Sequence, residues 1–171
     1  MNKPGTTHKR KRVAATVLVV LLLIACILLF PLPVRDVDRE FVIQRDAIRL
    51  RSVQPVMLDW WWRPFYDAKL IADRSPTWHL HSELGLDFSK LGTLGFSFMN
   101  KSEVQNLPWG QWYEDGNVLI EITNQSSWHK KPQPGLRMNV HHGTMGAQGY
   151  RVYIYRCLLG RFAQYSIEWV S

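Results

Sequence analysis

Cysteine is scarce in this chain, since of its 171 residues only Cys26 and Cys157 carry a thiol. Cys26 lies in an apolar run and Cys157 in a predicted strand, so we expect no intrachain disulfide between them. Internal repeats, low-complexity tracts and Gly/Ser-rich linkers are also missing. We therefore predict one domain over residues 35–171, of ordinary size for a domain and stabilised by packing alone.

Acidic residues are missing from the start of the chain, where Lys3 and the run Lys9 to Arg12 supply five basic residues before Val13. Of the 21 Lys and Arg residues, 16 remain after these five, beside 14 acidic residues, so the rest of the chain carries a net charge of only +2. Such a small charge does not indicate a nucleic-acid-binding surface. The basic residues favour a cytoplasmic N-terminus that also contacts anionic headgroups.

Charge is missing altogether from the 18 residues Val13 to Phe30. As a helix rising about 1.5 Å per residue, this run spans about 27 Å, or about 33 Å when extended to Val34, against a hydrocarbon core of about 30 Å. Pro31 and Pro33 predict that the helix ends at the outer interface. The sequence thus predicts a basic cytoplasmic tail over 1–12, a transmembrane anchor over 13–34 and an exported domain over 35–171. This arrangement corresponds to a single-pass inner-membrane protein with a periplasmic C-terminal domain.

The apolar run has two other interpretations. A cleaved secretory signal has an apolar region of about 7 to 15 residues and a small-residue cleavage site, whereas this run is longer and has no Ala-x-Ala-like end. Leu23 to Cys26 resembles a bacterial lipobox, in which the cysteine becomes the acylated first residue. The apolar Ile27 to Phe30 that follow argue against lipidation, because a lipoprotein tether is normally polar, and the question stays open for Cys26.

Alternation of apolar and polar residues recurs from Thr77 onward and predicts strands with one dry and one wet face. The strands are predicted over 77–87, 94–98, 117–123, 136–141, 150–155 and 163–169. Asp115-Gly116 is a tight-turn pair that predicts a hairpin between Gln111–Glu114 and the 117–123 strand. Earlier, Ala47–Val53 is predicted as a strand and Pro64–Arg74 as a short helix.

These one-faced strands must bury their dry faces against something, and the sequence shows no long amphipathic helix to cover them. We therefore predict a mainly β fold, an antiparallel β-sandwich of Ig-like type, after one N-terminal transmembrane helix. The segment 149–152 resembles the closing strands of Ig-like sandwiches, although it is too short to indicate a function.

Two aromatic clusters are candidate binding residues. Trp60, Trp61 and Trp62 are consecutive, so in an extended segment at least one points away from the others, and exposed tryptophan anchors protein interfaces or stacks on sugars. Tyr153 and Tyr155 form a strip on the wet face of their strand. We predict that these five residues bind a partner. The alternative is that the tryptophans cover a sheet edge or lie at the lipid interface, where tryptophan is enriched.

A metal site is a further alternative, because His79 and His81 share a strand face at a spacing of roughly 7 Å. A third ligand would have to come from elsewhere, and the candidates are His129, His141 and His142. Cys-rich or HExxH-type spacing is missing, so we expect polar side chains on a wet face, with no metal and no cofactor.

Catalytic motifs are missing as well, and the carboxylates are scattered without a paired arrangement, so we expect no enzyme activity. The first hypothesis is a membrane-anchored periplasmic binding module that grips a partner protein, as an inhibitor, an immunity factor or a subunit of an envelope complex. The alternatives are a sugar- or peptidoglycan-binding domain that uses the exposed tryptophans, and a metal-handling domain that uses His79 and His81.

Overall fold

The computed structural model describes residues 5–65, 68–74, 76–124, 135–143 and 146–170, and for residues 5–12 only the backbone. Six helices lie in this described part of the chain: α1 (Gly5–Leu29), α2 (Asp36–Arg51), α3 (Ala68–Ala72), α4 (Ser89–Gly92), α5 (Lys101–Gln105) and α6 (Trp109–Glu114). Eight strands lie there too: β1 (Val56–Leu58), β2 (Trp61–Arg63), β3 (Thr77–Ser82), β4 (Phe96–Phe98), β5 (Asn117–Asn124), β6 (Leu136–Gly143), β7 (Gly146–Cys157) and β8 (Gly160–Val170).

The eight described strands form one sheet in the order β2-β1-β8-β7-β6-β5-β3-β4. Strands β5 to β8 are antiparallel to their sequence neighbours, whereas β3 is parallel to β4 and β5, and β1 is parallel to β8. The prediction of a β-rich fold is confirmed. The Ig-like sandwich is not confirmed, because the described strands lie in a single mixed sheet rather than in two antiparallel sheets packed face to face.

Helix α2 covers the dry face of the sheet, the role that a second sheet has in a sandwich. Its buried residues recur every three or four positions, as on one face of a helix: Asp38, Val42, Ile43, Asp46, Ala47 and Leu50. Two of these positions are aspartates, so the apolar repeat is interrupted. The predicted strand over Ala47–Val53 is wrong, because the last turn of α2 occupies most of that range.

The core lies between the dry sheet face and helices α2, α3 and α4. Its large side chains come from both layers: Val42, Ile43, Leu50, Phe65, Ile71, Trp78, Leu80, Leu91, Ile120, Ile122, Met138, Val140, Tyr150, Val152 and Tyr165. Phe65 packs edge-on against Tyr150 and Tyr165, with ring centroids 5.4 Å and 5.3 Å away. Helix α3 lies within the predicted helical range 64–74, which confirms a helix there.

A smaller apolar cluster lies on the other face of the sheet, where Val104 of α5 and Trp112 of α6 pack on Leu119 of β5. Residues 111–114 therefore belong to a helix rather than to a strand, and the predicted hairpin through Asp115-Gly116 is wrong. Tryptophan and tyrosine have good strand propensity, but here their rings cover a neighbouring strand from above.

Two buried carboxylates attach α2 to strands β7 and β8. Asp38 accepts a hydrogen bond from Arg161 Nε at 2.6 Å and one from Arg156 Nη1 at 3.3 Å. Asp46 accepts one from the buried Tyr165 hydroxyl at 2.8 Å and is paired with Arg45 at 2.7 Å. Both aspartates are almost wholly inaccessible to solvent, so they fix the position of the helix through charge-assisted bonds.

The electrostatic surroundings of Asp38 favour its charged form. Burial alone would raise the pKa of this carboxyl, but the backbone N–H of Arg35 and the guanidinium groups of Arg161 and Arg156 outweigh it. The pKa of Asp38 therefore lies below its ordinary value of 3.8. Opposite charges and donors around a carboxylate act in this direction.

A β-bulge near the end of β8 changes the side from which Trp169 projects. Gly149 pairs with Trp169 whereas the next residue, Tyr150, pairs with Ile167, so Glu168 is an extra residue in β8. The Trp169 ring lies over Gly149, where a Cβ would collide with it. Trp169 therefore lies on the face opposite to that of Ala163 and Tyr165, although simple alternation along β8 would place the three on one face.

In the part of the chain whose side chains are described, no helix is both long and apolar enough to cross a membrane.

We expect Asp38→Ala to lower the free energy of unfolding by about 2 kcal/mol, because Arg156 and Arg161 lose their buried counter-charge. The matched control is Asp36→Ala in the same helical turn, whose carboxylate is 73% exposed and should contribute less than about 0.5 kcal/mol. Denaturant unfolding of the full chain, followed by tryptophan fluorescence, measures both. Equal effects of the two variants would contradict a structural role for Asp38.

The same carboxylate predicts an acid-sensitive contribution to stability. Since the pKa of Asp38 is lower in the folded than in the unfolded chain, its contribution is complete above about pH 4 and is lost as pH falls through the folded-state pKa. The stability of Asp38→Asn should therefore fall less steeply than that of the parent between about pH 4 and pH 2. Parallel pH profiles of the two chains would show that the ionised carboxylate is not responsible.

Candidate functional site

The hairpin β1–β2 lies at one edge of the sheet and carries the three consecutive tryptophans. Leu58 pairs with Trp61, so Asp59 and Trp60 alone form the turn. Both turn residues have positive φ, 41° and 69°. This combination is that of a type I′ turn, whose twist matches that of the flanking strands.

Trp60 stands where such a turn favours glycine. An L-residue in the left-handed region brings its Cβ close to the following carbonyl oxygen, at a cost on the order of 1 kcal/mol. Asp59, at the first turn position, is of a type that tolerates this conformation, whereas a bulky aromatic residue is an outlier there. The conformation of Trp60 thus costs stability, and strain of this kind is concentrated at functional sites.

The three rings are among the most exposed large apolar side chains described, with 78%, 66% and 58% of the accessible surface remaining at Trp60, Trp61 and Trp62. We refer to these three residues as the Trp edge. The Arg49 guanidinium of α2 lies 6.0 Å from the centre of the Trp62 ring, at the limit of a cation–π contact. Exposed tryptophan rings are typical anchors of interaction sites.

The backbone of β2 is also available at the Trp edge. β2 is the last strand of the sheet on this side in the described chain. In a two-residue hairpin the pair next to the turn exchanges both hydrogen bonds, here Leu58 and Trp61, so the next pair does not. The N–H and C=O of Trp62 therefore point away from β1 and can pair with an added strand.

The two predicted tyrosines lie elsewhere on the sheet. Tyr153 is half-buried, with its hydroxyl 3.4 Å from Arg151 Nη1, while Tyr155 is 50% exposed and pairs across with Phe162 of β8. Strand β7 is three positions from β2 in the sheet, roughly 14 Å at ordinary strand spacing. The structure therefore does not bring the tyrosines and the Trp edge into one cluster.

The histidines of β3 are engaged within the fold. His79 Nε2 lies 3.0 Å from Asn117 Oδ1, and His81 Nδ1 lies 2.9 Å from the carbonyl oxygen of Met99. Among the described residues, no group of three or more His, Cys, Asp or Glu side chains is close enough to hold a metal ion. His129, one candidate third ligand, lies outside the described residues.

A polar and aromatic cluster on the sheet face opposite α2 was not predicted from sequence. His141 of β6 lies between Trp109 and Trp169, with ring centroids 5.5 Å and 6.5 Å away. Its Nε2 is 3.6 Å from the Glu121 carboxylate, which accepts a hydrogen bond from Asn139 Nδ2 at 3.1 Å. Its members come from α6 and from strands β5, β6 and β8, and Trp169 reaches this face only because of the bulge in β8. No spacing within a short stretch of sequence therefore predicts the cluster.

Charges on this face are largely compensated. The neighbouring His141 lowers the pKa of Glu121, more than burial raises it. Burial would raise the pKa of Glu168, but the guanidinium groups of Arg151 and Arg137 outweigh burial, so that this pKa is lowered as well. Glu168 Oε1 is 2.5 Å from Arg151 Nη2, and Oε2 is 2.8 Å from Arg137 Nε. Paired charges of this kind stabilise the face and do not by themselves indicate catalysis.

We expect Trp60→Gly to raise the free energy of unfolding by about 0.5 to 1 kcal/mol, because glycine adopts a positive φ without the Cβ penalty. Trp60→Ala is the matched control, since it also removes the ring but keeps the strained backbone, and it should be no more stable than the parent. Thermal melting of the three full-length chains measures the difference. If the Gly and Ala variants melt together, the turn is not strained.

Comparisons of the chain with protein-family models, with curated proteins and with solved structures found no match. A function can therefore be proposed only from the chain's own residues. The Trp edge is the feature of the described domain surface on which such a proposal can rest.

Proposed function

We propose that this protein is a membrane-anchored binding module, with its domain in the periplasm, that grips a partner protein through the Trp edge. The observation that carries the proposal is the exposure of Trp60, in a turn held in a costly conformation, and of Trp61 and Trp62, on an edge strand that is paired on one side only. Binding energy concentrates in a few aromatic anchors, of which tryptophan is the most enriched. An inhibitor, an immunity factor or a subunit of an envelope complex would each use such a surface.

The geometry of the Trp edge favours a polypeptide over a sugar. Trp61 and Trp62 are adjacent in a strand, so their side chains project to opposite faces of the sheet and do not form one flat stacking platform. An extended segment added beside β2 would pair with the backbone of Trp62 and would contact rings on both faces. Recognition by strand addition combines main-chain hydrogen bonds with side-chain pockets in this way.

The proposed membrane attachment rests on the sequence of residues 13–34 and on the surroundings of α1. Its apolar side chains from Val13 to Leu29 are nearly all exposed, and none belongs to the apolar core of the described residues. A bare apolar helix in water is unfavourable, so these side chains require a cover. The basic residues before Val13 favour a cytoplasmic N-terminus and thus a periplasmic domain.

A sugar or peptidoglycan ligand is the second candidate, favoured by the accessibility of the indole rings, since a single exposed ring is enough to stack on one sugar face. In this case Trp60, the most exposed of the three at the hairpin turn, is the expected contact.

Photocrosslinking in intact cells tests the proposal. A benzoylphenylalanine residue in place of Trp61 should give one specific protein adduct, whereas the same residue in place of the exposed but distant Tyr155 should not. The adduct should persist after cell-wall glycans are digested. Absence of an adduct, together with retention of the chain on purified peptidoglycan that is lost in Trp60→Ala, would reject the protein partner in favour of the sugar.

With the crosslinked partner purified, we expect Trp61→Ala and Trp62→Ala each to weaken binding by about 2 kcal/mol, roughly 30-fold in Kd. The melting temperature should change little, because both rings are exposed. Tyr155→Ala is the matched control and should leave Kd unchanged. Titration of the full chains with the partner measures these effects, and wild-type affinity in all three variants would reject the Trp edge as the binding surface.

A further inference from the structure

The turn between β7 and β8 has an unusual composition. Cys157 pairs with Gly160, so the turn consists of Leu158 and Leu159 alone. Two-residue turns favour Asn-Gly, Asp-Gly or Gly-containing pairs, which suit both the backbone and water. The two leucines are instead 60% and 57% exposed, at the most protruding point of the longest hairpin of the sheet. We refer to Leu158 and Leu159 as the leucine tip.

The leucine tip lies beside the end of the apolar helix α1. An open groove there is lined almost entirely by apolar atoms, and its residues come from α1, from the segment that follows it and from the tip: Leu23, Cys26, Ile27, Phe30, Leu32 and Leu158. The backbone N–H of Leu32 donates to the carbonyl oxygen of Arg156 at 2.8 Å, and the two residues form an isolated antiparallel bridge. The exit from α1 and the tip are thus held together.

Further exposed apolar side chains and cationic groups surround the same point. Phe30 is 65% exposed, and Phe41 of α2 is 47% exposed beneath the Arg161 guanidinium, which lies 4.8 Å from its ring centre. Arg35, at the start of α2, has 61% of its side chain exposed. Apolar rings beside guanidinium groups fit the boundary between acyl chains and anionic headgroups, where the rings are buried and the cations meet phosphate.

We propose that the leucine tip inserts into the outer boundary between headgroups and acyl chains of the membrane that holds α1. The domain is then held against the bilayer surface at a second point and is not joined to it through α1 alone. This inference rests on the proposed membrane attachment. The occupant of the surface is a phospholipid bilayer, because the tip continues the apolar surface of α1 at the point where that helix ends. The charge there is also net cationic, because the guanidinium groups of Arg35, Arg39, Arg156 and Arg161 outnumber the carboxylates of Asp36 and Asp38 with which they pair.

Depth-dependent fluorescence quenching in vesicles tests the proposal with the full chain. In a Cys26→Ser, Cys157→Ser background, a nitrobenzoxadiazole (NBD) label is placed in turn at Leu159→Cys, at Val20→Cys in α1, and at Glu114→Cys at the opposite end of the sheet. The vesicles contain phosphatidylethanolamine and phosphatidylglycerol, with doxyl-labelled lipid as the membrane quencher and iodide as the aqueous one.

We expect doxyl lipid to quench the labels at 159 and 20 and iodide to quench the label at 114. If the label at 20 is quenched by doxyl lipid while the label at 159 behaves like that at 114, the tip proposal is overturned and the anchor stands. If the label at 159 is shielded from both quenchers, a second copy of the chain covers the tip and the bilayer contact is likewise rejected. If the label at 20 is open to iodide, the proposed attachment itself fails.

A second variant separates insertion from folding. Leu158→Asn, Leu159→Ser places two neutral polar residues of ordinary turn type where the described backbone has no positive φ, so the fold should be retained, as circular dichroism would show. With the label on the native Cys157 in a Cys26→Ser chain, doxyl quenching should fall to about half or less of that in the parent turn. Unchanged quenching in the folded variant would show that the leucines do not hold the tip in the bilayer.

Discussion

The attachment of α2 to the sheet through two buried aspartates is the interaction on which the rest of the fold depends. Without that helix the dry faces of β7 and β8 would be open to water, and the large rings of Tyr150 and Tyr165 would lose part of their cover. Apolar packing supplies most of the driving force, but it is non-directional. The hydrogen bonds that Arg161 donates to Asp38 and that the Tyr165 hydroxyl donates to Asp46 give the helix one position along the strands.

The fold could be predicted from the sequence where the signal is local. Period-two alternation identified β5 to β8, because each of these strands has one dry and one wet face. It failed for α2, since aspartates at two buried positions break the apolar repeat and their partners lie more than a hundred residues away. With the covering helix missed, a second sheet was the remaining way to bury the dry faces, and the sandwich prediction followed from that single omission.

The candidate site also has a part that could be predicted from the sequence and a part that could not. Because Trp60, Trp61 and Trp62 are adjacent in sequence, it was predictable that they could not all be buried. The positive φ of Trp60 was not predictable, because it depends on a two-residue turn that is defined by the pairing of Leu58 with Trp61. The cluster around His141 could not be predicted, because it needs the strand order, the position of α6 and the bulge at Glu168. Adjacent residues carry their own signal, while convergent residues carry none until the topology is known.

The parallel pairing of β1 with β8 determines the distance between the Trp edge and the leucine tip, and therefore the distance between a bound partner and the membrane. Leu58 pairs with Tyr165, five residues along β8 from Gly160, which corresponds to roughly 17 Å at about 3.4 Å per residue. With the leucine tip at the bilayer surface, this is also the distance of the Trp edge from the headgroups, and it is less than the diameter of a small domain. Its partner would then be confined to a thin layer next to the membrane, where a protein that is itself membrane-attached meets it by diffusion in two dimensions.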